Sequence, residues 1–216
     1  MWRDDLRVVP FSISYNGQQR PNTLARPIKR HMRSYKKHDF PIENTRRFLE
    51  PGPIVLVSSQ WKDEHDIMTM GWHMMLGYDL IGTYIWTANH SYDLIRKSKE
   101  CVINLPTTDL ANQVVGIGNT TGAEIDKFKK FHLTPEQATE VNAPLIKDCY
   151  ANFECRLHDG TQIKKHSLFI WQIVKAHVAT SPKFPKTLHY RGEGRFMTSG
   201  PEISLRKKFK PEMLRS

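Results

Sequence analysis

The chain has 216 residues, of which 39% are hydrophobic and 25% charged, and a formal net charge of +10. That length and balance fit one soluble domain with its own core and some elaboration at the ends, and no apolar run reaches the roughly 18 to 20 residues of a membrane helix. The opening Met1-Trp2-Arg3-Asp4-Asp5 has early acids and leads into no apolar segment of signal-peptide length, so the expected location is cytoplasmic, with no membrane partner.

The excess charge sits at the ends. Positions 1–50 hold 11 Lys/Arg against 5 Asp/Glu, and positions 201–216 hold 5 against 2, which leaves the middle close to neutral. The basic runs Arg26–Arg33 and Arg206–Lys210 therefore read as solvated tails, and nucleic acid is not an expected partner. The expected division is a basic N-terminal extension over 1–38, a folded domain over 39–195 and a basic C-terminal tail over 196–216.

Order is expected to begin near Phe40, with a short helix to Leu49 halted by Pro51-Gly52-Pro53. The β-branched run Ile54–Ser59 predicts a buried strand, Trp61–Asp66 a polar loop, Ile67–Met75 a returning strand and Leu80–Thr87 the next. Ser91-Tyr92-Asp93 has the capping serine and early acid of a helix start that continues to Ser98. A strand over Cys101–Leu105 and a helical stretch over Asp109–Gly116 follow. Thr134–Thr139 resembles a capped helical turn with proline at its first position. Tyr150–Leu157 and Ser167–Val178 complete the strands. Many strands with short helices between hairpins predict a mainly β fold closed into an antiparallel barrel, because closure removes exposed edges. Cys101, Cys149 and Cys155 are widely spaced, show no C-x-x-C pairing and read as reduced, buried thiols.

No G-x-x-x-x-G-K-[ST], G-x-S-x-G, H-E-x-x-H or G-x-G-x-x-G motif occurs, and no metal site is expected. Gly116-Ile117-Gly118-Asn119-Thr120-Thr121-Gly122 has amides and hydroxyls that could approach an anion, although its composition also suits a plain structural loop. Taken alone, Trp72 and the methionines Met68, Met70, Met74 and Met75 read as core, and Lys127 as a solvated surface lysine.

The ordered set of segments resembles the flavin reductase-like FMN-binding family, and within it the flavoredoxin-type members, over about residues 40–190. The matching pieces are Leu49–Ser59, Ile67-Met68-Thr69-Met70-Gly71-Trp72, Thr87–Ile95, Val102–Pro106, Thr121–Phe128, and Ala143–Asp148 leading to Phe153-Glu154-Cys155. The resemblance implies an antiparallel Greek-key split β-barrel that binds FMN. It also implies cofactor contacts from Ile67, Met68, Thr69, Met70, Trp72, Thr87, Ala88, Asn89, His90, Ser91, Asn104, Thr121 and Lys127. A strand such as Met68-Thr69-Met70 offers backbone groups to the edge of an isoalloxazine ring, with Trp72 as a wall. The loop Asn89-His90-Ser91, opening a helix, suits a phosphate.

The activity implied is NAD(P)H-dependent oxidoreduction through bound FMN to a protein or small-molecule acceptor, in a homodimer with FMN near the interface. His166 stands where such reductases place a histidine near the reactive face, and a hydrogen-bonded barrel histidine is the equal alternative. The sequence departs from the family pattern at Asp66, where asparagine is usual, and at Gly77-Tyr78-Asp79-Leu80 in place of a proline-rich turn. These departures keep a second reading open, a non-enzymatic FMN-binding electron carrier reduced by a protein partner.

Overall fold

A computed structural model describes residues 34–214. Its strands in chain order are β1 (Lys37–Asp39), β2 (Val55–Trp61), β3 (Glu64–Met70), β4 (His73–Met75), β5 (Leu80–Tyr84), β6 (Glu100–Leu105), β7 (Pro135–Glu136), β8 (Leu145–Ile146), β9 (Ala151–Asp159), β10 (Leu168–Ala179), β11 (Leu188–Gly192) and β12 (Arg195–Thr198). The helices are short: α1 (Arg46–Leu49), α2 (His90–Ser98), α3 (Ala111–Gly118), α4 (Lys127–Lys130) and α5 (Ile163–His166).

One antiparallel sheet runs in the order β3-β2-β6-β9-β10-β5-β4, with β1 added against β10. Hairpins β2–β3, β4–β5 and β9–β10 are connected so that β6 lies between β2 and β9, the Greek-key arrangement expected from the sequence. The two edge strands, β3 and β4, are joined directly through Gly71 and Trp72, so the chain itself bridges the ends of the curled sheet. The barrel is consequently split rather than closed by hydrogen bonds at that seam: β3 pairs only with β2, and β4 only with β5.

The strand β2 shows why its sequence is a continuous apolar run instead of an alternating one. Val55 and Val57 face the barrel interior with Met68, Met70, Ile103, Phe153 and Trp171. Leu56 turns the other way, with Ile54 and Ile67, to pack beneath Val114, Ile117 and Phe128 of α3 and α4. Both faces are covered along Ile54–Val57, so the apolar residues there do not alternate with polar ones. All three cysteines are free and buried; burial holds the Cys101 and Cys149 thiols far above their ordinary range, which leaves them protonated packing groups.

Several elements differ from the sequence expectation. Trp61–Asp66 is not a loop: β2 continues to Trp61 and β3 begins at Glu64, and the turn between them is Lys62-Asp63, with Lys62 at a left-handed φ of 55°. The expected strand Ile67–Met75 breaks at Gly71 because its two halves belong to opposite edges of the sheet. Thr134–Thr139 does not form a helical turn. Pro135–Glu136 bridges to Leu145–Ile146, and the amides of Thr139, Glu140 and Val141 all donate to the buried Glu154 carboxylate on β9. A distant carboxylate thus supplies the partners that helical carbonyls would have supplied. Burial alone would raise the Glu154 carboxyl, but the bond from His177 and these amides outweigh it and hold the group below the usual range.

At the N-terminal side, structure begins ahead of Phe40: Tyr35 is buried, and Lys37–Asp39 pairs with β10. At the other end, β11 and β12 form a hairpin that continues to Thr198. The basic run Arg26–Arg33 lies outside the described residues, whereas Arg206–Lys208 forms an exposed 3-10 turn. Among the described residues no helix is long and apolar enough to cross a membrane.

Candidate functional site

The seam between β3 and β4 carries a groove in two parts. Its polar part, about 100 Å3, is lined by Asp66, Met68 and Thr69 of β3, by Ala88 to Ser91 at the start of α2, by Ile117 and Gly118 at the end of α3, by Thr120 and Thr121 after it, and by Lys127. Its aromatic part, about 250 Å3, is lined by Met68, Thr69, Met70, Gly71, Trp72, Tyr84, Trp86 and Asn89. Met68, Thr69 and Asn89 line both, so the two parts adjoin along β3. A larger opening of about 1140 Å3 near Phe48, Phe184, Lys186 and His189 contains none of the residues expected to contact the cofactor.

At the polar end, Lys127 is anchored three ways. Its ammonium donates to the Ile67 carbonyl at 2.7 Å and lies 3.1 Å from Asp66 Oδ1 and 3.5 Å from Oδ2. Asp66 Oδ2 accepts the Ser91 hydroxyl at 2.6 Å. Asp66 and Lys127 are 2% and 5% exposed, so the charge pair is shielded from solvent. Gly122 packs onto this carboxylate: a Cβ there would stand 2.4 Å from Asp66 Oδ1 and 2.8 Å from His90 Cδ2. On the rim, His90 Nε2 meets Glu64 Oε1 at 2.7 Å.

The helix α2 opens here, with Asn89 as an N-cap that makes no side-chain capping bond. First-turn amides of a helix have no carbonyl partners within it, and the dipole adds partial positive charge at that end. Two hydroxyls along the polar end are already committed to the protein: Thr69 donates to Val114 O at 2.7 Å and Thr120 to Gly116 O at 3.0 Å. Facing the polar end remain the helix-opening amides, the Thr121 side chain and Lys127, whose charge is already paired with Asp66; amides at a helix start suit an anion.

The aromatic end is open to solvent. Trp72 is 71% exposed and Trp86 59% exposed, and the Trp72 and Tyr84 rings lie 5.2 Å apart. Trp72, which reads from the sequence as core, is instead an exposed wall of this groove. Beside it, His73 donates through Nε2–H to the Pro53 carbonyl, 2.7 Å away, and burial pushes its imidazole below the ordinary range more than that bond raises it. A neutral ring thus ties β4 to the Pro51-Gly52-Pro53 segment.

Of the residues expected at the site, Met68, Thr69, Met70, Trp72, Ala88, Asn89, His90, Ser91, Thr121 and Lys127 line the groove. Lys127 is buried instead of solvated. Trp72 and Met74 are exposed, while Met68 and Met70 do belong to the barrel core as well as the groove wall. Ile67 turns its side chain under α3 and reaches the site only through the carbonyl that holds Lys127. Thr87 is exposed in the turn before α2 and lines neither part.

Asn104 is a correction. Its amide donates to Leu56 O, Ser58 Oγ and Val102 O, and its carbonyl accepts from Ile146 N and Asn152 Nδ2, so no capacity is left for a ligand. It stitches β2, β6, β8 and β9 together. His166 does not open a strand. It ends α5, is exposed, and lines neither part of the groove, although Ser167 beside it accepts the Ile85 amide at 3.0 Å and so neighbours the Tyr84–Trp86 segment.

Tyr84, Trp86 and Asp66 line the site without having been assigned to it. The signal for Trp86 was hidden, because an aromatic within Leu80–Thr87 reads as strand core until one knows that β5 stops at Tyr84. Asp66 was visible as a departure from the asparagine usual at its position, but its pairing with a lysine 61 positions away was not.

A family model described as flavin reductase like domain matches residues 46–198. An uncharacterized protein of Archaeoglobus fulgidus is 30% identical over 145 residues, 66% of this chain and 80% of that protein. Among solved structures, the FMN-binding domain of a flavin reductases-like enzyme from Shewanella baltica superposes with a TM-score of 0.74 at 20% identity, covering 79% of this chain and 98% of that one. Flavoredoxin of Desulfovibrio vulgaris gives 0.66 at 21% identity, covering 72% and 90%. At these identities the structural likeness speaks for the fold.

Proposed function

The chain belongs to the flavin reductase like domain family, and from that premise we propose that it binds FMN in the seam groove and acts as an NAD(P)H-dependent oxidoreductase. One observation carries the reading: a single groove that joins a lysine-bearing, helix-opening polar end to an open aromatic end. FMN has that same division between phosphate and ring. Residues present fit the group: Lys127 and the amides at His90 and Ser91 would hold the phosphate, Thr121 and the Gly118–Thr120 turn would flank the ribityl chain, and the Met68–Met70 backbone with Trp72, Tyr84 and Trp86 would hold the ring. When bound, the flavin supplies the capacity to take up a hydride and pass on electrons singly or in pairs, while the protein supplies position and electrostatics.

The exposure of Trp72 and Trp86 supports an approach for a nicotinamide from the solvent side. His166, beside the Tyr84–Trp86 segment, is in this reading a contact for the second substrate and not for the flavin. The exposed apolar residues Trp72, Met74, Leu76, Tyr78, Tyr84 and Trp86 lie on β4 and β5 or within a few residues of their ends, and this supports a homodimer with the site near its interface. Mass in solution tests that part, and a monomer at all concentrations would remove it.

Anaerobic mixing of the FMN-loaded protein with NADH or NADPH tests the enzymatic reading against the electron-carrier reading. Bleaching at 450 nm within seconds is expected. A flavin that stays oxidised with both nucleotides and is reduced only by a protein donor would establish the carrier, the activity that flavoredoxin-type resemblance also allows.

A further inference from the structure

The polar end contains a charge that a phosphate site does not need. Lys127 alone would serve an anion, yet a carboxylate is buried against it, 3.1 Å from its ammonium. Asp66 Oδ2 takes the Ser91 hydroxyl, and Oδ1 has no hydrogen-bond donor besides its ion-pair neighbour. Gly122 is the only residue type that leaves Oδ1 its room. A carboxylate accepts and does not donate, so it gives a phosphate nothing but repulsion, and at this burial that repulsion is poorly screened.

The geometry points to Asp66 as the residue that sets how strongly this site prefers a phosphorylated flavin over an unphosphorylated one. The inference rests on the FMN reading above. Asp66 holds Lys127 in place and offsets its charge, so the groove meets the phosphate with an electrically neutral pair plus the amides at the start of α2. Discrimination between FMN and riboflavin is then weak for a site containing a lysine, and the local net charge controls it. The polar end of wild type is neutral, D66N makes it positive, K127M makes it negative, and D66N/K127M makes it neutral again. Asn retains the shape of Asp66 and can still accept from Ser91, so D66N removes the carboxylate charge, and with it the ion-pair partner of Lys127, with little change in shape.

The test is a pair of fluorescence-quenching titrations, with FMN and with riboflavin, on the full-length wild type and the three variants at low and high salt. Expected for FMN is a dissociation constant lowered about tenfold in D66N, raised about tenfold in K127M and returned to within about threefold of wild type in the double variant, with riboflavin nearly constant throughout. The salt dependence should steepen in D66N. A merely structural role for Asp66 would move both flavins together. A double variant as weak for FMN as K127M would overturn the inference, since Lys127 would then act by direct contact without an offset from Asp66. An FMN to riboflavin ratio equal in all four proteins would also overturn it while leaving flavin binding intact. Failure of every protein to bind either flavin would instead remove the FMN reading and the inference together. If D66N does not fold, K127M and the double variant still decide the matter.

Discussion

Gly122→Ala adds one methyl group at the point where the glycine lies against Asp66. The new Cβ would stand 2.4 Å from Asp66 Oδ1, 2.5 Å from its Cγ and 2.8 Å from His90 Cδ2, against the 3.4 Å or more of ordinary contact. Asp66 cannot swing aside freely, because Oδ1 faces Lys127 at 3.1 Å and Oδ2 holds Ser91 at 2.6 Å. Either the carboxylate leaves both partners or the 119–123 turn moves outward by about 1 Å, the shortfall from normal contact. Overpacking of this kind costs about 2 kcal/mol, which for a chain of this length lowers the melting temperature by about 4–8 °C. The same displacement disturbs the phosphate end, so FMN affinity should fall by about tenfold or more. Gly200→Ala is the control, since a Cβ there meets nothing within 4 Å, and it should melt within about 2 °C of wild type. Differential scanning fluorimetry of the three apo proteins, followed by FMN titration, makes the measurement. If Gly122→Ala melts with the control and binds FMN unchanged, the tight assembly around Asp66 is not what organises the polar end.

Replacing Asn104 by Ala strands the Ile146 amide and the partners on β2 and β9; it should cost about 2–4 kcal/mol in urea unfolding while FMN affinity of the folded protein stays unchanged. Trp72→Ala and Trp86→Ala remove exposed rings, so each should leave the apo melting temperature within about 2 °C yet weaken both FMN and riboflavin by about tenfold, the worth of an aromatic wall. Glu154 has a carboxyl held below its ordinary range, so its contribution to stability is complete above about pH 4.5 and is lost as pH falls through the lower folded value. Glu154→Gln should therefore be less stable than wild type at pH 7, and the gap between the two in urea midpoint should narrow below pH 4. Exposed His166 should be replaceable by Ala with no change in FMN affinity; an effect confined to reduction by NAD(P)H would mark contact with the second substrate.

Much of the barrel was legible because its strands advertise themselves. Ile54–Ser59 and Ser167–Val178 are long, β-branched or aromatic, and bounded by turn residues, and α2 lies where Ser91-Tyr92-Asp93 announced a helix, although its N-cap is Asn89 and the Ser91 hydroxyl goes to Asp66. What local pattern could not supply was the partner of each strand. Met70 and His73 are three residues apart, yet they belong to opposite edges of the sheet, and only the tertiary arrangement makes Gly71-Trp72 a seam. Thr134–Thr139 carried a genuine helix-start signal that lost to a carboxylate on β9, an acceptor no sequence window of that size contains.

The site shows the same division. Asn89-His90-Ser91 was readable, since a helix opening is a local feature. Asn104 was assigned to the cofactor by the resemblance, whereas here its amide is spent on the backbone of β2 and β8 and on the Asn152 side chain of β9. Lys127 read as solvated for want of its partner Asp66, and the two meet only because β3 and α4 pack together.

Central to the account is the claim that the seam groove is a flavin site, and equilibrium titration of the purified, flavin-stripped protein with FMN tests it most directly. The account predicts saturable quenching of flavin fluorescence at about one FMN per chain with a dissociation constant in the micromolar range or below, weakened by Trp72→Ala. Flavin that remains fully fluorescent at about 100 micromolar protein, or binding indifferent to substitutions at both Trp72 and Lys127, would contradict it.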